Sequence, residues 1–361
     1  MSEIAYQRLR QQGLVESPYQ SPADAVSWLG AVQAQEYPAS LWSLGLRLRA
    51  TNAQVVEAAL HDHSMLRTWA MRGTLHYLSA YDAGWILRLV GPDIIKGSAR
   101  RYRQLELDEH TLARSTAQIT NALNDSEMLT RHELFSLLDR AGLATTGQRG
   151  VYMLQRASLE GRIAQGVQKG RDPTFYAFTP TLPQNPRFSR ETALVELALR
   201  YFTSRGPATL DDFRWWSGLR AAEARAALDG AQKQLVQESV DGRSYYWLAH
   251  DSRPPAQPAP VAHLLPAYDE YLIGYKDRSA SVEPAHASRV QMANGLGATV
   301  IVNGQVIGTW RRKVCKSAIV IDAAPFSPWS EADVTLISQA TERYGAFFGR
   351  PAQLSVQAAS D

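Results

Sequence analysis

Residues 30–38 read Gly-Ala-Val-Gln-Ala-Gln-Glu-Tyr-Pro and set two neutral carboxamides, Gln33 and Gln35, two positions apart in an otherwise apolar stretch. A glutamine has no useful pKa, so the pair cannot act as an ordinary general acid or base. It can hold a water molecule by donating and accepting hydrogen bonds, and its carbonyl dipoles can stabilise developing positive charge. Help that weak suffices only where the leaving group departs readily, as an alkylated purine with a cationic ring does. Taken alone, the pair is more ordinarily read as buried amides that satisfy backbone groups at a helix end.

On an α-helix, residues two apart point about 200° away from each other, so both amides reach one target only where the helix has ended. Pro38 disfavours helical geometry at Tyr37 and puts a break nearby. In a turn or an extended segment both amides can face one site.

The elements that must carry this segment follow a repeated order. Helix-start boxes stand at Ser21-Pro22-Ala23-Asp24, Thr130-Arg131-His132-Glu133 and Thr209-Leu210-Asp211-Asp212, each before an apolar periodic stretch. A second amphipathic helix is expected after each, over residues 52–60, 147–160 and 220–230. Strand pairs with Gly in the turn follow in "LRTWAMRGTLHYL", "RIAQGVQKGRDPTFYAF" and "QLVQESVDGRSYYWL". Helix, helix, hairpin is the order of a winged helix, and three copies make an array. The alternative is an α+β fold in which such alternation carries no repeat.

Five prolines within residues 254–266 exclude a regular helix and mark an extended linker. Beyond it, "VAHLLPAYDEYLI", "ATVIVNGQVIGTWRR" and "SAIVIDAAPF" read as strands with an Asn-Gly hairpin turn. Residues 331–347 read as a closing amphipathic helix capped by Ser330, followed by a frayed tail from Ser355.

The chain of 361 residues has a net charge of +3, from 38 basic and 35 acidic side chains. No global field attracts nucleic acid, and any basic face must be local. The polar N-terminus and short apolar runs predict a cytoplasmic protein without a membrane span, and the single Cys315 cannot form an internal disulfide. No phosphate-binding loop and no G-x-S-x-G occurs. The G-x-G of "GLGATVIVNG" precedes a strand instead of following one, which argues against dinucleotide binding. His61 and His63, two apart at a helix end, suit a surface role better than a metal site, and no metal or cofactor is expected.

"LGAVQAQEYPASLWSLGLR", "TWAMRGTLHYLSAYD", "LLPAYDEYLIGYKDRS" and "VNGQVIGTWRR" resemble four stretches of the AlkZ/YcaQ family, winged-helix DNA glycosylases that act on bulky alkylated purines and interstrand crosslinks. The likeness spans about residue 4 to 350. It implies an α+β fold of three tandem winged helices and a C-terminal β-rich domain, C-shaped around a DNA-sized cleft. The expected domains are 1–92, 93–182, 183–252 and 260–361. The family motif is Gln-x-Gln in one branch and Gln-x-Asp in the other; Gln33 and Gln35 match the first. They are the expected catalytic residues, positioning a water against the sugar carbon as the glycosidic bond breaks.

The resemblance also implies substrate contacts from Tyr37, Trp42, Arg72 and His76. Core packing is the alternative for Trp42 and His76, and a solvated wing for Arg72. DNA contacts are expected from Arg67, Arg149, Lys169, Arg171, Lys276, Arg311, Arg312 and Lys313. Asp269, Glu270, Tyr275, Lys276 and Arg278 crowd one segment of alternating charge, where internal pairing competes with DNA contact. The reading is a monomeric, metal-free glycosylase acting at the nucleoid on double-stranded DNA with N7- or N3-alkylated purines. The alternative is a non-catalytic regulator on the same winged helices. A regulator would bind one sequence far above random duplex, whereas a repair enzyme shows little sequence preference and a steep salt dependence.

Overall fold

A computed structural model describes residues 3–178, 188–248, 259–292 and 295–358. They form two compact units, one of residues 57–194 and one joining 1–56 to 195–361. The stretch expected as a first domain, 1–92, is thus divided between them. The expected boundary after residue 92 falls within one continuous helix, Ala80–Gly97.

In the 57–194 unit, helices Glu109–Asn124, Arg131–Arg140 and Arg149–Leu159 place Leu112, Ile119, Leu134, Leu138, Met153 and Leu154 in one core. Apolar positions three and four apart give each helix a single buried stripe. Thr130 and Glu133 close a reciprocal capping box at the start of the second of these helices. Strands Leu75–Ser79, Met65–Trp69, Ile163–Gln165, Thr174–Ala177 and Leu129–Thr130 lie side by side in that order. The two hairpins meet where Arg67 pairs with Gln165.

In the other unit, strands Ala352–Val356, Ile319–Pro325, Gln305–Val314, Thr299–Val302 and Ala262–Leu265 form a five-stranded sheet in that order. The first pair is parallel and the rest antiparallel. Helix Glu331–Phe347 packs against this sheet, and the Ser330 hydroxyl accepts the Asp333 N–H at its start. Ser355 and Val356, expected in a frayed tail, instead belong to strand Ala352–Val356, because parallel pairing with Ile319–Pro325 satisfies their backbone. Residues 249–258, which include the start of the proline-rich linker, lie outside the described residues. The end of that stretch, from Ala262, is an edge strand.

Helix, helix, hairpin recurs along the chain. Pro22–Leu29 and Ala53–His61 precede the first strand pair, Arg131–Arg140 and Arg149–Leu159 the second, and Leu210–Ser217 and Ala221–Ala231 the third, Leu235–Val240 with Arg243–Leu248. Helices outside the expected order include Glu3–Gln11, Tyr37–Gly45, Ala80–Gly97, Glu109–Asn124 and Arg190–Arg205. No helix among the described residues is long and apolar enough to cross a membrane.

The Asn303-Gly304 turn joins Thr299–Val302 to Gln305–Val314 with both residues at positive φ, 50° and 81°. Asparagine tolerates this setting and glycine meets no steric cost there. Gly304 also touches the core: a Cβ would lie 2.8 Å from the Tyr271 hydroxyl, which donates to the Gly304 carbonyl at 2.9 Å. Gly304→Ala is expected to destabilise the protein by about 2 kcal/mol in urea unfolding. Wild-type stability in that variant would show that neither the turn nor the contact constrains the sheet.

Candidate active site

Helix Pro22–Leu29 stops at Gly30, whose φ of 73° favours glycine. Residues 31–36 then leave helical geometry, with Val32–Gln33 as a short strand and a bend at Gln35 and Glu36, until helix Tyr37–Gly45 begins. Glu36 is the extended N-cap, and Pro38 sits in the first helical turn, where a missing N–H is no loss. The break that the amides require falls just before Tyr37. Gln33 is buried and Gln35 exposed.

A buried ion pair holds the backbone on this route. The Gln33 N–H donates to Glu270 Oε1 at 2.8 Å. Glu270 Oε2 accepts from Arg205 Nη2 at 2.5 Å, Arg205 Nε at 3.1 Å and Trp216 Nε1 at 3.1 Å. Arg205 donates in turn to the carbonyls of Leu29 at 2.7 Å and Ala31 at 2.9 Å. Both partners of this pair are fully buried.

The preceding residue repeats the device. Arg47 grips Asp269 with two parallel hydrogen bonds of 2.8 and 2.9 Å, and Ser43 Oγ donates to the same carboxylate at 2.8 Å. Burial would raise the Asp269 carboxyl, but the Arg47 charge and hydrogen bonds, with those from Tyr271 N–H and Ser43, outweigh it and hold it below the ordinary carboxylate value. Arg47 and Ser43 lie on or just past the helix that follows the glutamines, so this second pair fastens that helix. Tyr275 Oη donates to the Arg205 carbonyl at 2.8 Å and accepts from Gln12.

Much of the 269–278 segment therefore turns inward. Asp269, Glu270 and Tyr275 are buried, and Arg278 Nε donates to the Leu272 carbonyl. Lys276, expected on DNA, pairs with Asp211 at 2.9 Å on the surface. The arginines that complete the ion pairs, Arg47 and Arg205, carry no local motif. Their only sequence signal is the adjacent pair of carboxylates, which need cations if buried.

Several other residues expected at the substrate or DNA make internal contacts. Arg67 is buried and donates to Gln165 Oε1, because it lies on an inner strand of the 57–194 unit. His76 is wholly buried on strand Leu75–Ser79, with Nδ1 3.0 Å from the Thr74 carbonyl, as a core histidine. Arg149 donates to the carbonyls of Ala144, Leu105 and Glu106, which braces the start of its own helix. Tyr37 is buried, and Trp42 donates its indole N–H to the Leu264 carbonyl at 2.7 Å and packs edge-on against Tyr344. Arg72 occupies a strained turn, φ 57° and ψ 12°.

Lys169 and Arg171 stand exposed at a hairpin, as do Arg311, Arg312 and Lys313 on strand Gln305–Val314. Arg311 and Arg312 line a cavity of about 470 Å³ together with Trp42 and Glu36, the residue after Gln35. This cavity sets Glu36 and Ala39, just past the glutamines, beside a basic strand of the same unit. Among the described residues no group of three or more His, Cys, Asp or Glu is arranged to hold a metal ion.

An α+β chain with a buried, ion-paired frame under a Gln-x-Gln segment defines a class, and the comparisons agree with it. The chain belongs to the DNA glycosylase AlkZ-like family, whose model matches residues 26–347. Family membership makes it a DNA glycosylase, an enzyme that acts on N-glycosyl bonds of DNA. A curated relative, the interstrand DNA cross-link repair glycosylase of Streptomyces sahachiroi, is 28% identical over 336 residues, covering 84% of this chain and 85% of its own. The solved structure of Streptomyces sahachiroi DNA glycosylase AlkZ shares the fold with a TM-score of 0.76, at 23% identity over 98% of each chain.

One titration follows from the same frame. His263, on strand Ala262–Leu265, is buried, and burial, then the charges of Arg343 and Arg47, push its imidazole down to about 3. In the unfolded chain it titrates near 6.5. Below about pH 6.5 the unfolded state therefore gains a proton that the folded state refuses, and stability falls as pH falls. His263→Gln should flatten the pH dependence of the urea midpoint between about pH 6.5 and 4. An unchanged slope would show that this imidazole is not held neutral.

Proposed function

We propose that the protein removes N7- and N3-alkylated purines from double-stranded DNA and unhooks interstrand crosslinks, leaving abasic sites. Gln33 and Gln35 carry the chemistry. The carrying observation is the placement of both amides on a non-helical segment between two helices, within the matched family region, with the backbone at Gln33 held by buried charges.

In this reading the purine leaves as a good leaving group, because alkylation has made its ring cationic. The amides align a water toward the sugar carbon and offer carbonyl dipoles to the positive charge that develops there. Gln35, the exposed member, meets the substrate, and Gln33 supplies the second amide from the anchored strand. Three winged helices, within 1–92, 93–182 and 183–252, and a β-rich domain, 260–361, engage the duplex. Lys169, Arg171, Arg311, Arg312 and Lys313 contribute phosphate contacts, with Arg72 and Lys276 at the periphery. One molecule suffices, working on nucleoid DNA in the cytoplasm. The name of the curated relative supports the crosslink part of the proposal.

Incubation with duplexes bearing 7-methylguanine or a nitrogen-mustard crosslink should produce alkali-labile strand breaks. Gln33→Ala and Gln35→Ala should each lower the single-turnover rate by about 100-fold or more, and the double variant should abolish it. Intact strands across the lesion panel, together with tight binding to one sequence, would replace the enzyme with a regulator.

A further inference from the structure

We propose that Glu270 and Arg205 are a positioning pair for Gln33, acting as a side-chain substitute for a neighbouring β-strand; this rests on the glutamine reading above. In an extended chain, alternate residues turn their N–H and C=O groups to the same side, where a paired strand would meet them. Here the Ala31 carbonyl and the Gln33 N–H are met by two side chains instead. Arg205 donates to Ala31 at 2.9 Å and Glu270 accepts from Gln33 at 2.8 Å. The second arm of Arg205 takes the Leu29 carbonyl at 2.7 Å, where the helix ends. Three backbone groups, two residues apart, are thus gripped by one ion pair.

The pair is itself held from behind. Trp216 donates to Glu270 Oε2, and its ring lies 4.5 Å from the Arg205 guanidinium carbon. With both partners excluded from solvent, neither has rotamer freedom to follow a shifting backbone. The pair is also self-neutralising, so it places no net charge beside a sugar that turns cationic. Its contribution is geometric: it sets the Gln33 peptide, and through it the direction of the Gln33 amide. Glu270 is a positioning residue, separate from the groups that would touch water or sugar.

Glu270→Asp separates geometry from charge. It keeps a carboxylate opposite Arg205 but draws it back by one methylene from the Gln33 N–H. We expect unchanged affinity for a lesion-bearing duplex, faster hydrogen exchange at the Gln33 amide, and a single-turnover rate lowered by about 100-fold, as a misplacement near 1 Å produces. Arg205→Lys, which keeps charge but reaches fewer carbonyls, should show a smaller fall in rate at unchanged affinity, and it serves if Glu270→Asp fails to fold. Wild-type rates in a folded variant with accelerated exchange would overturn the proposal, as would a rate loss matched by an equal loss of affinity. If the wild-type protein excises no lesion, the glycosylase chemistry fails on its own. Unchanged Gln33 exchange in Glu270→Asp would then still reject the clamp.

Discussion

Two adjacent carboxylates, Asp269 and Glu270, lie out of reach of water, and each faces its own guanidinium. Taking such ions out of water costs several kcal/mol apiece, repaid only where geometry is close and the remaining lone pairs are used. Both conditions hold here. Asp269 takes Arg47 bidentately with Ser43 and the Tyr271 N–H, and Glu270 takes Arg205, Trp216 and the Gln33 N–H. An apolar contact in the same place would tolerate sliding, whereas these bonds are directional and specify one arrangement. The loss of either partner leaves a buried charge alone, at about 3–5 kcal/mol.

The frame matters because of the weakness of what it carries. Neutral amides bring no proton exchange and no full charge to a reaction, so alignment is most of what they offer. A pair of this kind suits a bond that is already close to breaking, and a cationic alkylated purine provides one. The same reasoning explains why the segment is not helical: helical geometry would send the two amides to different sides, and Gly30 and Glu36 bound the stretch where helix is interrupted.

Local chemistry was readable wherever a few neighbouring residues decide it. The capping boxes at Thr130 and Thr209, the Ser330 cap and the Asn303-Gly304 turn all form as their residue types require, because each is closed by groups three or fewer positions apart. Helix Tyr37–Gly45 is not legible from Pro38, because a proline that ends one helix serves equally in the first turn of the next. The tail strand escaped because Ala352–Val356 is mostly polar or exposed and is stabilised by its partner strand, with no buried face of its own. The resemblance implies DNA contacts for Arg67 and Arg149 and a substrate contact for His76. The burial of Arg67 and His76, and the internal bonds of all three, depend on strand order and helix packing that no short window contains.

By itself the sequence determined the helix starts, the hairpin turns, the interrupted stretch around Gln33 and Gln35, and the kind of chemistry two amides can assist, since all of these follow from covalent structure and near neighbours. Only the tertiary structure decided that residues 1–56 belong with 195–361, and that Arg47 finds Asp269 across 222 positions and Gln33 finds Glu270 across 237. A charge's partner is chosen by which groups are desolvated together, and that is settled when the whole core closes, not along the chain.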